Sequence, residues 1–423
     1  MKPADDAPES RHWAVRCWRA LGPGLIAGAA DDDPSGIATY SIAGAQTGTA
    51  MLWTAVLTWP LMSAVQLMCA RIGLVTGRGL IRALDQKFPR PLILLAGAAL
   101  FLANTINVGA DLAGMADAAA ELSGFRSRGF VVIFGVVIAA ATIGFSYGRI
   151  ASVLKWLSLS LLAYIATAFL AHPRWGDVLG GVTPHWPRGA AAWSVLVAVF
   201  GTTISPYLFF WQASEEVEEA GDRSPSGLAA GPALDRKWRD RRLDIGVGTF
   251  FSNLVMFFII LGCALTLHRH GLTQISSSKE AAMALRPIAG RFATALYTTG
   301  ILGVGFLAIP TLTGSAAYAC AEIFRWRSGL DKRFGQARAF YLVIVVATVG
   351  GVALDFAGFN PVKALYWSAV INGLLAPFLL TGLLLAASDR KIMRGQPSSP
   401  LSRGVVGVAA AVMFAAGIGM FVF

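Results

Sequence analysis

The amino-acid sequence predicts an all-α, polytopic membrane protein whose helices form an inverted repeat of five plus five. Of its 423 residues, 55% are hydrophobic and only 14% are charged, whereas a soluble domain carries about 25% charged residues. Apolar segments near or above the ~20 residues that a bilayer requires recur along the whole chain. Two of them, five spans apart, are each interrupted in the middle by proline and polar residues, a pattern typical of inverted-repeat membrane proteins.

Eleven apolar segments are long enough to cross a membrane, although their ends are read only to within a few residues. They cover residues 21–47, 51–76, 91–120, 129–148, 150–171, 191–214, 244–267, 292–322, 336–355, 362–387 and 404–423. We expect residues 1–20 to form a cytosolic tail and residues 21–423 to form one transmembrane domain. The first repeat would cover about 21–171, the second about 191–387, and an extra helix about 404–423.

The positive charges predict the orientation of the chain. With the N-terminus inside, the inner loops carry roughly three quarters of the 35 Lys and Arg residues, and such an excess is typical of cytoplasmic loops. We therefore expect a multi-pass protein of the cytoplasmic membrane with its N-terminus inside. The net charge of +11 is explained in the same way, so we expect no nucleic-acid partner. The four cysteines have no CxxC spacing, which indicates neither a zinc site nor a disulfide framework.

The first span contains three consecutive carboxylates, in the stretch Ala30-Asp-Asp-Asp-Pro-Ser-Gly36. Carboxylates at bilayer depth cost at least a few kcal/mol each. Pro34 removes a backbone donor and Gly36 lets the chain turn, so we expect a helix break that frees carbonyl groups. Carbonyls and carboxylates together can surround a cation. A cytosolic loop between two short helices is the alternative, but each flank alone is too short to cross a bilayer.

The sixth span is interrupted in a similar way, at Gly201-Thr-Thr-Ile-Ser-Pro206. Such paired breaks are expected to meet at the membrane midplane and to form a binding site there. Asp33 is the most central anion of span 1, and Thr202 and Ser205 offer a carbonyl and a hydroxyl from span 6. These hard oxygen donors suit Mg²⁺, Mn²⁺ or Ca²⁺ better than soft ions. No Met, Cys or His stands at either break.

The residues at both breaks resemble motifs of the NRAMP family of divalent-metal transporters. The family's Asp-Pro-Gly-Asn motif is matched by Asp33-Pro34-Ser35-Gly36, and its Met-Pro-His motif by Ser205-Pro206-Tyr207. Gly109-Ala-Asp-Leu-Ala in span 3 is similar to the family's Ala-Thr-Asp-Leu-Ala. The resemblance implies an inverted repeat of the amino-acid-transporter type with helices 1 and 6 broken. It also implies the site residues: metal ligands Asp33, Thr202 and Ser205, with Asp32, Pro34, Gly36, Pro206 and Tyr207 in their vicinity.

Several positions depart from the family pattern. The family's Asn is Gly36, which offers no side-chain ligand, and its Met is Ser205, so the soft thioether that favours transition metals over Mg²⁺ and Ca²⁺ is absent. In this respect the chain is similar to the NRAMP-related branch that carries Mg²⁺ and Mn²⁺ without proton coupling.

The residues of a proton path also differ. The family's histidines in span 6 are Tyr207 and Gln212, and the Glu that follows the span 3 aspartate is Gly114. Asp111 is kept, and we expect Asp111 and Gln212 to be possible parts of a proton or ion pathway. An ordinary packing role for Asp111, as a buried hydrogen-bonded acid, is the alternative. Because a proton relay needs titratable groups along its path, we expect weak or absent proton coupling.

These observations lead to one expected function and two alternatives. We expect a secondary transporter or facilitator of Mn²⁺ or Mg²⁺ that works by alternating access, with no cofactor beyond the transported cation. The alternatives are an organic-cation or amino-acid transporter of the same fold, and a non-transporting sensor. We expect no enzymatic activity, because the sequence contains no P-loop, nucleotide motif or His/carboxylate cluster. The sequence does not determine the oligomeric state.

Overall fold

The regular secondary structure of the described residues is entirely helical. The computed structural model describes residues 31–145, 159–220 and 231–423; the predicted tail, the first part of span 1 and much of span 5 lie outside them. The α-helices are α1 Pro34–Thr47, α2 Leu52–Thr76, α3 Leu80–Leu84, α4 Arg90–Ser123, α5 Ser127–Gly144, α6 Ala163–Leu170, α7 Trp175–Val182, α8 Gly189–Thr203, α9 Pro206–Ala220, α10 Pro232–Thr266, α11 Ser278–Ala282, α12 Arg286–Ala289, α13 Ala293–Phe324, α14 Arg338–Asp355, α15 Pro361–Ser388 and α16 Pro400–Val422.

The long apolar helices agree with most of the predicted spans. Within the described part of the chain, nine stretches are long and apolar enough to cross a membrane. The first of them, Pro34–Thr76, contains both α1 and α2, which a short 3₁₀ turn separates. Only the shorter apolar helix Ser160–Leu170 is described from the predicted span 150–171. The count of eleven spans and the boundaries of the two repeats therefore stay predictions.

The connection between spans 6 and 7 differs from the prediction. Helix α9 runs from Pro206 to Ala220 and so extends past the predicted end of span 6 at residue 214. However, α10 already begins at Pro232 rather than at residue 244. The basic residues at 236–239, which lie outside the predicted span 244–267, are therefore helical. Proline at the start of α10 explains the earlier beginning, because its fixed φ angle suits the first turn of a helix.

The helix ends follow from local residue chemistry. Proline occupies the first turn of α1, α4, α10, α15 and α16, where its missing N–H leaves no donor unpaired. The side chain of Asn360 accepts a hydrogen bond from the Lys363 N–H at 3.0 Å and caps α15. Gly77 and Gly124 end α2 and α4 with φ angles of +64° and +77°, a conformation that favours glycine.

Glycines bring the central helices into backbone contact. A Cβ atom on Gly201 of α8 would overlap the Ala369 carbonyl and lie 2.6 Å from the Gly373 Cα, both on α15. Helix α1 has a similar contact, because a Cβ atom on Gly44 would overlap the Ile260 carbonyl of α10. Small residues at such positions allow close helix packing in membranes. Helix α8, which ends at the second predicted break, is thereby packed closely on α15. Helix α1, which begins at the first predicted break, is packed closely on α10.

The Gly201 contact leads to a stability prediction. Gly201→Ala should lower the thermal unfolding midpoint of the detergent-purified protein, because overpacking a closed contact costs ~1–3 kcal/mol. Gly246→Ala is the matched control: Gly246 lies within α10, and nothing is within 4 Å of its added Cβ. That variant should unfold at the same or a higher temperature, since alanine is the better helix former. Equal midpoints for Gly201→Ala and the parent would contradict the close contact.

Candidate metal centre

Asp33 stands at the point where α1 begins. Its backbone is extended, with φ −66° and ψ 170°, and its Oδ1 accepts a hydrogen bond from the Gly36 N–H at 2.6 Å. The side chain is thus the N-cap of α1, a position where the helix dipole stabilises a negative charge. Only 2% of Asp33 is exposed. The structure therefore confirms non-helical backbone at the predicted first break and places a buried carboxylate there.

The second break lies between α8 and α9. Helix α8 ends at Thr203, Ile204 has φ −109° and ψ 58°, and α9 starts at Pro206. In a continuous helix the Thr202 carbonyl would accept a bond from residue 206, but proline has no N–H. Instead the Ser205 hydroxyl contacts the carbonyl oxygens of Thr202 and Gly201, each at 2.7 Å. Two of the predicted ligands, Thr202 and Ser205, thus lie side by side.

The two breaks meet through Gly36. A Cβ atom on Gly36 would lie 3.1 Å from the Thr202 Oγ1 and 3.3 Å from the Asp33 Oδ1. Just beyond this point, the Tyr40 hydroxyl hydrogen-bonds the Thr203 hydroxyl at 3.2 Å and joins α1 to α8. Asp33 and the C-terminal end of α8 therefore face each other. That end carries the negative pole of the helix dipole, which attracts a cation.

Asn107 is a member of the site that the sequence analysis missed. Its Nδ2 donates to the Asp33 Oδ2 at 2.9 Å, while its Oδ1 is buried with no hydrogen-bond partner among the described residues. Asn107 lies on α4 one turn before Asp111, so both side chains share a helix face. The four-residue spacing between Asn107 and Asp111 is the sequence feature that could have identified Asn107. A partner that fixes a ligand's orientation in this way tunes the ligand for a metal.

Asp111 is next to the first break. Its Oδ1 accepts a bond from the Ser35 N–H at 3.2 Å, and its Oδ2 is buried without a partner in the described parts of the chain. The Ser35 hydroxyl in turn donates to the Leu365 carbonyl of α15 at 2.7 Å. Asp111 is therefore linked to the site by a backbone contact, one residue beyond Pro34.

Asp31 and Asp32 share one hydroxyl partner on α10. The Ser252 hydroxyl lies 2.9 Å from the Asp31 Oδ2 and 3.2 Å from the Asp32 Oδ1. Ser252 was not anticipated, because nothing in the sequence pairs α10 with the first break. A hydroxyl donates one hydrogen, so it satisfies only one of the two carboxylates at a time.

The region carries an excess of buried negative charge. Asp31, Asp32, Asp33 and Asp111 are each at most 4% exposed, and across the described ranges none of them forms an ion pair. In those ranges, no three His, Cys, Asp or Glu side chains form a group that could hold a metal ion. The predicted ligand set of one carboxylate with neutral oxygens stays a prediction.

The remaining predicted residues lie farther from Asp33 along α9. Pro206 starts the helix, and the Tyr207 carbonyl accepts a bond from the Ser315 hydroxyl of α13 at 2.8 Å. Gln212 lies two turns beyond Ser205, and its Nε2 donates to the Glu216 Oε1 at 3.0 Å. The structure therefore groups Gln212 with Glu216 rather than with the ligands at the breaks.

Comparison with known proteins identifies the family. The family model described as natural resistance-associated macrophage protein-like matches residues 24–423. The chain belongs to the Nramp family. Relatives include MntH of Mycobacterium tuberculosis H37Rv, 26% identical over 394 residues, covering 92% of this chain and 88% of the relative. MntH 1 of Pseudomonas aeruginosa is 28% identical over 394 residues, covering 88% and 84%. Both carry the name divalent metal cation transporter.

Solved structures with the same fold include transporters from two groups. A mutant Eremococcus coleocola manganese transporter superimposes with a TM-score of 0.74 at 18% identity, over 98% of this chain and 90% of that one. Mhp1, a nucleobase-cation-symport-1 family transporter, gives a TM-score of 0.57 at 15% identity, over 95% and 91%. These similarities confirm the fold class predicted from the sequence, an all-α membrane protein with the inverted-repeat architecture.

Gly114 of this Nramp chain occupies a closed position. A Cβ atom there would lie 2.6 Å from the Leu365 Cδ1 of α15. The glutamate that the family resemblance implies at this point would need the space that Leu365 fills. The absence of the acid at position 114 therefore goes together with the close packing of α4 on α15 at Leu365.

This contact predicts a coupled pair of substitutions. Gly114→Glu should lower the thermal unfolding midpoint, because its side chain overlaps Leu365 and brings an acid into an apolar contact. Leu365→Ala alone should also destabilise, by leaving a cavity. Combined, the two should be less destabilising than the sum of the single effects, as expected for residues in contact. Strictly additive losses in a double-mutant cycle would show that Gly114 does not depend on Leu365.

Proposed function

We propose that this chain is a secondary transporter or facilitator of divalent metal cations, Mn²⁺ or Mg²⁺, across the cytoplasmic membrane by alternating access. The named activity of its curated relatives, divalent metal cation transport, supports the proposal. The observation that carries it is the joint placement of Asp33 and the Thr202–Ser205 oxygens at two facing helix breaks. Asp33 would be the charged ligand, Thr202 would offer its carbonyl, and Ser205 would bind directly or through water.

The chemistry of the donor atoms favours hard cations. A carboxylate, a carbonyl and a hydroxyl are the ligands that Mg²⁺ and Mn²⁺ accept. Mg²⁺ keeps several of its waters, so few protein ligands are enough. The excess of buried carboxylates and the C-terminal end of α8 attract positive charge and repel a carboxylate substrate. This speaks against an amino-acid substrate bound through its carboxylate.

Proton coupling by the usual family route is expected to be weak or absent. Gly114 leaves no acid at its position, and Tyr207 and Gln212 replace two histidines of the resemblance. Of the positions that the resemblance implies for the proton path, Asp111 is the one that stays titratable. A proton path needs titratable groups along its length, and the other family positions do not supply them here.

The orientation of the protein follows from its charges. We propose that the N-terminus is inside, so that the Glu219 end of α9 faces the cytosol. The His268 end of α10 then faces outward. The two halves of the inverted repeat would rock around the breaks at Asp33 and Ser205, as in other transporters with discontinuous helices.

A flux assay in liposomes tests this function. Liposomes that contain the protein should take up Mn²⁺, and excess Mg²⁺ should block this uptake. The signal of a pH dye inside the liposomes should stay constant. Asp33→Ala should abolish uptake, because it removes the charged ligand. Asp177→Ala is the control, since Asp177 is exposed and lies far along the chain from both breaks.

Three outcomes would contradict the proposal in different ways. Equal uptake by Asp33→Ala and the parent would exclude Asp33 as the essential ligand. Uptake that ignores Mg²⁺ and acidifies the liposomes would indicate a proton-coupled transition-metal transporter. No flux of any divalent ion would favour an organic-cation transporter, if amines are carried, or a sensor, if ions bind without flux.

Ser205 gives a prediction about selectivity. Ser205→Met should make Mn²⁺ uptake less sensitive to competing Mg²⁺, because a thioether binds transition metals and disfavours hard ions. Ser205→Ala removes the hydroxyl without adding sulfur and serves as the comparison. The measurement is the Mg²⁺ concentration that halves Mn²⁺ uptake. If this concentration is the same in both variants, sulfur chemistry at position 205 does not determine selectivity.

A further inference from the structure

A line of polar side chains continues along α9 beyond the candidate metal centre. Gln212, Glu216 and Glu219 follow one another at spacings of four and three residues, so they share one face of the helix. Gln212 begins about 10 Å beyond Ser205, at seven residues of 1.5 Å rise each. Gln212 and Glu216 are both 0% exposed. This polar face therefore begins about two turns beyond the second break, after the buried Leu208 and Phe209, and continues toward the proposed cytosolic side.

The oxygens on this face are only partly satisfied. The Gln212 amide donates to the Glu216 Oε1 at 3.0 Å, but the Gln212 Oε1 and the Glu216 Oε2 have no hydrogen-bond partner within the described residues. Buried oxygens without donors are costly, by roughly 1–3 kcal/mol each and more when charged. A contact that served only to join two helices would not require this pair of free acceptors. They point instead to a cation as the missing partner.

The positively charged side chain of Arg241 lies at the far end of this polar face. Arg241 of α10 extends into it, and its guanidinium contacts Glu216 and Glu219 while its Nη1 lies 3.1 Å from the Asp244 Oδ2. The Arg241 side chain is 10% exposed, and the side chains of Glu216 and Asp244 are 0% exposed. Three carboxylates thus surround one positive group. The three carboxylates outnumber the single guanidinium, so this cluster favours positive charge.

We propose that Gln212, Glu216 and Asp244 form a second binding site for the transported divalent cation on its way to the cytosol, and that Arg241 competes with the ion for it. This inference rests on the proposed function. Without metal the guanidinium holds the carboxylates of Glu216 and Asp244. An arriving cation would replace it, because a divalent ion offers more charge to the same hard oxygens. Arg241 is then a positioning residue, since it acts through Glu216 and Asp244.

Equilibrium Mn²⁺ binding to the purified full-length protein tests the second site. Asp33→Ala should remove binding at the breaks. Adding Arg241→Gln to that variant should restore binding of one Mn²⁺ per protein, because the competing guanidinium is gone. Adding Glu216→Gln as well should weaken this restored binding by more than about tenfold. Glu215→Gln in its place is the matched control, since it removes the neighbouring charge from the same helix and should leave the restored binding intact.

The proposal is overturned if the monodisperse Asp33→Ala/Arg241→Gln protein binds no Mn²⁺, or binds it equally well after Glu216→Gln. If Arg241→Gln does not give a monodisperse protein, Arg241→Lys replaces it. Lysine cannot contact three carboxylates with a planar fork, so Mn²⁺ should again bind in a manner that depends on Glu216. Absence of that binding overturns the proposal equally. Unchanged Mn²⁺ binding in the Asp33→Ala single variant would instead count against the proposed function.

Discussion

The carboxylate of Asp33 is the interaction on which the centre of this protein depends. It caps α1 through the Gly36 N–H, accepts a bond from Asn107 of α4 and faces the end of α8 at Thr202. One side chain therefore joins α1 to α4 beside the end of α8, and it also carries the charge that a cation needs. Each of its oxygens keeps a further lone pair after these bonds. The bonds that hold Asp33 at the start of α1 thus also orient its carboxylate as a metal ligand. Asp33 therefore serves both the fold and the proposed binding site.

The sequence was sufficient for the features that local chemistry controls. Pro34 and Pro206 each remove a backbone donor beside glycine and polar residues, so both breaks could be located without a structure, and with them Asp33, Thr202 and Ser205. Proline alone is not enough, because Pro60, Pro310 and Pro377 lie inside helices. Boundaries were weaker: α10 begins at Pro232, because apolar character alone does not show where a helix leaves the membrane.

The parts that sequence analysis missed all depend on contacts between distant elements. Asn107 reaches Asp33 from α4, and Ser252 reaches Asp31 and Asp32 from α10. Neither residue stands in a motif. Arg241 was counted only among the positive charges that set the orientation, because its contacts with the acids of α9 join two helices that no sequence pattern pairs. Such pairings are set by packing, which periodicity and composition do not reveal.

The contact at Gly44 has a mechanical consequence. Because the backbones of α1 and α10 touch there, the two helices cannot slide past one another without separating first. Ser252 links the same α10 to Asp31 and Asp32, which directly precede Asp33. Helix α10 is therefore held at both ends of α1, by Gly44 and by the carboxylates at the break. We expect α1 and α10 to move together in any motion that opens the breaks toward the His268 side.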